Sequence, residues 1–134
     1  MLFRSQDSPA PAITDLKGVS VGMTRAEVRE VLGKPQVSGK ASMNYKFSKT
    51  STAQIGFDPA GKVRTIALIY MNGDATAPSF ADVFGPDVPM VEKEDGSVYN
   101  LLRYKTAGYY VAYSKTMVSK KPMVVITMRK LAAR

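Results

Sequence analysis

The stretch Gly22–Pro35, with the sequence Gly-Met-Thr-Arg-Ala-Glu-Val-Arg-Glu-Val-Leu-Gly-Lys-Pro, predicts one short helix with a defined start and end. Thr24 is a favoured N-cap, and Glu27 three residues later completes a capping box, which gives two unpaired backbone N–H groups an acceptor. An apolar stripe at helical spacing follows the cap and consists of Val28, Val31 and Leu32. Gly33 favours the positive φ that closes a helix, and Pro35 prevents the helix from continuing.

Beyond this helix, large apolar residues alternate with polar ones, which is the pattern of half-buried strands. The predicted inward positions are Met43, Tyr45 and Phe47 in a first strand and Ala53, Ile55 and Phe57 in a second. A third strand, Val63–Met71, is apolar enough on both faces to lie at the centre of a sheet. Asp58–Gly61 has the sequence Asp-Pro-Ala-Gly, a turn that joins the second and third strands as a hairpin.

The second half of the chain repeats this order of features at a spacing of about 55 to 60 residues. Ser79 and Asp82 have the spacing of another capping box, and Gly85 followed by Pro86 ends a shorter helix. The matching strand segments are Leu102–Tyr104, Tyr109–Tyr113 and Ile126–Met128, with a predicted loop at Lys115–Pro122 before the last. We therefore predict an α+β fold of two tandem helix-plus-three-strand repeats, with both helices on one face of a curved, six-stranded antiparallel sheet.

At 134 residues the chain suits a single domain. Residues 1–15 contain two prolines and few apolar side chains, which predicts a flexible leader. Residues 16–134 would then form the domain, with repeat one at 16–73 and repeat two at 74–134.

The chain has no cysteine and no histidine, which excludes much of enzyme chemistry. A cysteine nucleophile, a histidine general base and zinc sites built from Cys and His are all ruled out. We therefore predict a protein that is not an enzyme, with no catalytic residue, no cofactor and no metal. The longest apolar run, Ile66–Met71, is too short to cross a bilayer, and we recognise no signal peptide in the sequence.

The charge balance is strongly basic, with 19 Lys and Arg against 11 Asp and Glu and a net charge of +8. Such an excess permits attraction to nucleic acid, anionic lipid or an acidic protein. The basic residues are spread over both halves of the chain, however, so no dedicated basic arm can be defined. A well-solvated surface is the simpler interpretation of the charge.

Three parts of the helical stretch, Gly22–Thr24, Glu27–Val28 and Leu32–Pro35, resemble the signature of the SmpA/OmlA (BamE-like) envelope lipoproteins. The doubled helix-plus-strand plan is similar to the related β-lactamase inhibitor protein (BLIP-like) fold. The resemblance implies a small, non-enzymatic module of the bacterial cell envelope or periplasm that binds another protein. Unlike those families, the chain has no cysteine for lipidation or disulfides, so we expect membrane contact only through an anchor that this chain lacks.

The sheet face turned away from the helices is the predicted binding surface. Its predicted partner-binding residues are Lys46, Gln54, Arg103, Tyr110 and Arg129. A tyrosine beside arginines suits a protein partner, because Tyr and Arg are enriched at binding hot spots. Two alternatives stay open: a plain solvated sheet face, and a cytosolic protein that binds nucleic acid or another polyanion through its net positive charge.

Three further features have simpler structural interpretations. The acidic residues Glu92, Glu94 and Asp95 are compatible with paired carboxylates or a hard-metal site, but their pattern favours a solvated loop. Lys120 and Lys121 form a basic loop tip with too few charges for contact with anionic lipid. Most of the seven tyrosines fall on predicted inward positions, which favours core filling over stacking on single-stranded nucleic acid.

Overall fold

The computed structural model describes residues 10–132 and arranges them as two helices and seven strands. In chain order these are α1 (Arg25–Leu32), β1 (Val37–Ser38), β2 (Ser42–Lys46), β3 (Ser51–Phe57), β4 (Val63–Tyr70), α2 (Phe80–Phe84), β5 (Val98–Tyr104), β6 (Tyr109–Val118) and β7 (Lys121–Lys130). All seven strands join one antiparallel sheet in the order β1-β2-β3-β4-β7-β6-β5. Neither helix in this part of the chain is long and apolar enough to cross a membrane.

Helix α1 begins and ends where its sequence predicts. The Thr24 hydroxyl accepts a hydrogen bond from the Glu27 N–H at 3.2 Å, and the Glu27 carboxylate accepts one from the Thr24 N–H at 2.9 Å. Gly33 has a φ of 84° and closes the helix. Val28 of the predicted apolar stripe is fully buried, but Val31 is 45% exposed. Only a narrow side of α1 therefore faces the core.

Hydrogen bonds attach both ends of α1 to the sheet. Before the helix, the Gly22 N–H donates to the Val63 C=O at 2.9 Å, and the Val63 N–H donates to the Met23 C=O at 2.7 Å. After the helix, the Tyr45 hydroxyl donates to the Gly33 C=O at 2.8 Å. Because Val63 begins β4 and Tyr45 lies on β2, these contacts hold the helix against the inner face of the sheet.

The sheet face that carries the helices forms the hydrophobic core. Its strand residues alternate with outward-facing ones, and the fully buried members include Met43, Ile55, Ile66, Val111, Ile126 and Met128. Helix α2 contributes Phe80, whose ring meets the ring of Tyr113 edge-on with the centroids 5.4 Å apart. The second capping box is confirmed as well, since the Ser79 side chain accepts from the Asp82 N–H and the Asp82 carboxylate accepts from the Ser79 N–H.

The predicted fold of two tandem helix-plus-three-strand repeats is wrong. Strands hold 44% of the structure and helices 11%, so a single seven-stranded sheet dominates and the helices are minor additions to one face. The two halves are also unequal, because α1 is followed by four strands and α2, with five residues against eight, by three. Similar caps and similar alternation arise wherever short helices and antiparallel strands occur, and they do not require a repeated unit.

Two local predictions are also wrong. Lys115–Pro122 is not a loop, because β6 continues to Val118 and β7 begins at Lys121 after a turn of two residues. Most of this hairpin tip is exposed and therefore lacks the apolar alternation that identifies a strand. Phe47 is not part of the strand, because it follows the end of β2 and is 37% exposed. Its ring keeps to the inward side, where it stacks with the Tyr45 ring at 6.3 Å between centroids and lies under the Lys17 ammonium at 4.7 Å.

The predicted leader, residues 1–15, is described from residue 10 onward, and its first nine residues lie outside the described part of the chain. Ile13 is partly buried against the core, and its C=O accepts a hydrogen bond from the Tyr109 hydroxyl at 2.9 Å. The segment just before the first core residue, Leu16, is therefore attached to β6.

Replacement of Ile126 tests the core. Ile126 is fully buried on β7 and pairs with Leu68 on one side and Tyr113 on the other. We expect Ile126→Ala to lower the free energy of unfolding by about 2–5 kcal/mol, because a cavity adds to the lost burial. Val37→Ala, at a residue that is 59% exposed, should change it by less than about 0.5 kcal/mol. Urea denaturation measures both, and equal effects would contradict this assignment of the core.

The β6–β7 turn gives a second stability prediction. Ser119 and Lys120 have φ values of 53° and 69°, a backbone region that costs a side chain about 1–2 kcal/mol but costs glycine little. After allowance for the greater freedom of glycine in the unfolded chain, Lys120→Gly should stabilise the protein by about 0.5–1 kcal/mol. The matched change Lys121→Gly, at the first residue of β7, should destabilise it by a similar amount. Thermal unfolding that moved the same way for both variants would contradict the turn assignment.

Candidate functional site

The face of the sheet opposite α1 and α2 presents three rows of directly paired residues, and we call this surface the open face. The arginine row is Ser42, Gly56, Thr65, Arg129, Tyr110 and Arg103; the middle row is Asn44, Gln54, Ala67, Thr127, Ala112 and Leu101; the far row is Lys46, Thr52, Ile69, Val125, Ser114 and Tyr99. Side chains alternate along each strand, so these residues point away from the core residues that lie between them.

Tyr110 lies between two arginines in the arginine row. Its direct partners are Arg103 on β5 and Arg129 on β7. Directly paired residues have Cβ atoms about 4.5–5.5 Å apart, which brings both guanidinium groups within reach of the tyrosine ring. Arg103 and Arg129 are exposed, whereas Tyr110 is half-buried. The Tyr110 ring is therefore held partly in place between two exposed guanidinium groups.

Arg64 joins this group through a β-bulge. Val63 and Thr65 pair with adjacent residues of β3, which leaves Arg64 as an extra residue on β4. A bulge bends its strand and changes the direction of the side chain it carries. A surface hollow lies at this end of the open face. Its lining includes Arg64, Asp58, Arg103, Tyr110, Arg129 and Lys130. We call Arg64, Arg103, Arg129 and Lys130 the basic cluster.

A second hollow adjoins the first on the open face and shares Arg64 and Arg129 with it. Its lining includes Gly56 and Ala67, two residues with little or no side chain, together with Gln54. Small residues in the middle of a sheet leave a depression between longer neighbours. The basic cluster therefore borders a recess made of two adjoining hollows, the first at β6 and β7 and the second over β3 and β4.

Asp58 is the carboxylate of the first hollow. Its Oδ1 accepts hydrogen bonds from the N–H groups of Lys62 and Ala60, each at 2.9 Å. The bond from Lys62 above all, with that from Ala60, lowers the pKa of the Asp58 carboxyl below its ordinary value, and the nearby charges of Lys130 and Arg64 act in the same direction. The carboxylate is thus held in the β3–β4 turn, and the four cations of the basic cluster outnumber it.

The far row has an apolar pair at its centre. Ile69 and Val125 are half-buried partners there, between Thr52 and Ser114. Tyr99 is 60% exposed at the β5 end of the far row. The arginine row and the far row are four residues apart along each strand, or about 13 Å at the usual rise. The basic cluster and the apolar pair are therefore separated by that distance along the strands.

The structure brings together three of the five predicted partner-binding residues. Arg103, Tyr110 and Arg129 are consecutive members of the arginine row. Gln54 is exposed in the middle row, where it borders the second hollow beside Ala67. Lys46 is exposed at the end of β2 in the far row, so it is separate from the basic cluster. Their role in binding stays a prediction.

Sequence reasoning missed Arg64 and Lys130. A strand with strict alternation cannot bury both Val63 and Ile66, which are three positions apart, yet both are fully buried. That irregular spacing is the signal of the bulge and thus of the unusual position of Arg64. Lys130 is the last residue of β7, where alternation ceases to indicate a direction.

The other candidate features have structural roles or are exposed. Glu92, Glu94 and Asp95 are exposed in the loop before β5, where the Asp95 carboxylate accepts from the Ser97 N–H at 3.0 Å. Among residues 10–132, no group of three or more acidic side chains is placed to hold a metal ion. Five tyrosines lie in the core, and burial raises the pKa of each: Tyr45, Tyr70, Tyr104, Tyr109 and Tyr113.

No protein-family model, no curated protein and no solved structure matches the chain. The resemblance to the SmpA/OmlA (BamE-like) lipoproteins and to the β-lactamase inhibitor protein fold therefore stays a prediction from the sequence.

The lowered pKa of Asp58 gives a test in acid. A carboxyl whose pKa is lower in the folded state adds stability above its unfolded pKa and loses that contribution as the pH falls through its folded pKa. Asp58→Asn keeps an oxygen acceptor for the two N–H groups but cannot ionise. We therefore expect the loss of stability between about pH 7 and pH 2, measured by urea denaturation, to be smaller in Asp58→Asn than in wild type.

The loss of stability in acid should become smaller in Asp58→Asn without vanishing. The reason is that hydrogen bonds from Thr50 and Thr76 to Asp74 and from Ser97 to Asp95 lower the pKa of those carboxyls as well. An unchanged acid dependence in Asp58→Asn would contradict the described role of the β3–β4 turn.

Proposed function

We propose that the protein is a non-enzymatic module that binds another protein through its open face. The observation that supports this most is the arrangement of the arginine row, in which a half-buried tyrosine lies between two exposed arginines. Tyrosine and arginine are the residues most often found at the energetic centres of protein interfaces. The recess beside them adds concave surface to the same face. The apolar pair Ile69 and Val125 in the far row adds hydrophobic surface.

The dimensions of the open face fit a protein partner. Six strands spaced about 4.8 Å apart and three rows over about 13 Å give a surface of several hundred Å². An area of that size accommodates a short segment of a partner protein, and it is less than the roughly 800 Å² that one partner contributes to a standard interface. The surface also has the rigidity that binding favours, because each residue is held by a continuous ladder of backbone pairing.

A second candidate function, binding of nucleic acid or another polyanion, is supported by the basic cluster and the net charge of +8. Two observations favour the protein partner. The clustered cations occupy one end of the open face and do not form a track across it. The seven tyrosines lie mostly in the core, which leaves Tyr99 and Tyr110 on the open face for base stacking.

The proposed location is the periplasm or another part of the cell envelope. This part of the proposal is supported by the resemblance of the Gly22–Pro35 stretch alone.

A matched pair of substitutions tests the open face. Ala112 is half-buried in the middle row between Thr127 and Leu101, so Ala112→Arg places a long charged side chain over the centre of the face. Ala26→Arg makes the same substitution at an exposed residue of α1, on the other side of the sheet. In affinity capture from an extract of the source organism, we expect wild type and Ala26→Arg to retain a discrete protein that Ala112→Arg loses.

Far-ultraviolet circular dichroism and urea denaturation first establish that both variants are folded. Capture of the same proteins by Ala112→Arg and Ala26→Arg would contradict the proposal. So would captured material that disappears on treatment with nuclease, which would favour the polyanion function.

A further inference from the structure

The two arginines of the arginine row, Arg103 and Arg129, have no partner within the described part of the chain. Arg25 shows what a partnered arginine looks like here: its guanidinium donates to the Gly39 C=O at 2.6 Å and lies over the Phe57 ring, 4.5 Å from the centroid. Within residues 10–132, by contrast, no hydrogen bond, ion pair or ring contact engages the side chains of Arg103 and Arg129. Both keep their full capacity to donate to a bound anion.

The nearby carboxylate does not neutralise the cluster. The Oδ1 of Asp58 already accepts from the N–H groups of Ala60 and Lys62. Its charge interacts with those of Lys130 and Arg64. Arg103 and Arg129 therefore remain as a pair of unopposed guanidinium groups.

The spacing of this pair suits a carboxylate. Arg103 and Arg129 are separated by the single strand β6, so their Cα atoms lie about 10 Å apart with Tyr110 between them. Two extended arginine side chains converge over such a gap. Arginine donates two parallel hydrogen bonds to a carboxylate or a phosphate, so an anion above the Tyr110 ring would be held from both sides.

The remainder of the open face distinguishes an acidic protein segment from a nucleic acid. A nucleic acid carries a phosphate at every nucleotide, so a strand lying across the face would place further charges over the middle and far rows. Those rows contain Leu101, Ile69 and Val125, against which a phosphate would lose its bound water without gaining a hydrogen bond in return. A protein segment can instead place an acidic side chain at one end of the face and an apolar one at the other.

We propose that the partner segment carries an acidic side chain that binds between Arg103 and Arg129, and an apolar side chain that packs on the directly paired Ile69 and Val125. This inference rests on the proposed function, and it specifies the chemistry of the partner. The distance of about 13 Å between the two rows corresponds to four residues of extended chain. The ligand is therefore an extended segment with an acidic residue and an apolar residue four positions apart.

Capped pentapeptides test this pattern without knowledge of the partner. The probe has glutamate first, leucine fifth and threonine or serine between them, and a second peptide has glutamine in place of the glutamate. Binding is followed by NMR through the backbone amides of the arginine row and the methyl groups of Ile69 and Val125. The protein variants are Arg103→Gln/Arg129→Gln and, as a control with the same change in charge, Lys49→Gln/Lys121→Gln at exposed lysines outside the cluster.

We expect the glutamate peptide to shift resonances of both rows of wild type. The dissociation constant should rise about five- to tenfold in the double arginine variant, and less than about twofold in the double lysine variant, because each exposed ion pair contributes modestly. The glutamine peptide should bind wild type as weakly as the glutamate peptide binds the double arginine variant.

Equal binding of the two peptides, or equal weakening by the arginine and lysine changes, would overturn the acidic requirement. Tighter binding of a single-stranded oligonucleotide that displaces the glutamate peptide would overturn it as well. If the peptides shift Ile69 and Val125 in all variants alike, the acidic requirement fails while the proposed function stands. A different result would count against the proposed function only: peptide binding that depends on the arginines, combined with capture of the same proteins by wild type and Ala112→Arg. That result would still support the ligand chemistry inferred here.

Discussion

The pairing of β4 with β7 is the constraint on which the rest of the molecule depends. It joins β1, β2 and β3 to β6 and β5 in one sheet, and its register places Ile66 opposite Met128 inside and Thr65 opposite Arg129 outside. Because side chains alternate, a slip of one residue would bury Arg129 and expose Met128. Burial of both apolar partners therefore fixes the register, and the register in turn builds the three rows of the open face.

The parts of the fold that are decided locally could be predicted from the sequence. Both capping boxes and the turn at Asp58–Gly61 depend on interactions within a few residues, and the buried alternation of β3 depends on one strand alone. The single dominant sheet could not be predicted in the same way, because it depends on pairing between distant strands. The tip of the β6–β7 hairpin was missed because its side chains are exposed, so that no apolar pattern marks it as strand.

The same division applies to the candidate site. Arg103, Tyr110 and Arg129 follow from alternation on their own strands, which is why sequence reasoning found them on the outer face. Their arrangement side by side depends on the registers of β5 with β6 and of β6 with β7. Lys46 shares their face but lies four residues away along the strands, a separation that alternation within β2 does not reveal. Arg64 enters the site through a bulge, which breaks the rule that located the others.

The long-range β4–β7 ladder also determines the order in which the molecule can fold. The β3–β4 and β6–β7 hairpins each close over a short turn. Pairing of Tyr70 with Val124, by contrast, closes a loop of more than fifty residues. Such distant contacts form slowly, so the two groups of strands must exist side by side before they join. Until then β4 and β7 both present unpaired edges, and at high concentration β4 of one molecule can pair with β7 of another. From this topology we expect exchange of strands between chains, rather than loss of either hairpin, to be the main route of misfolding.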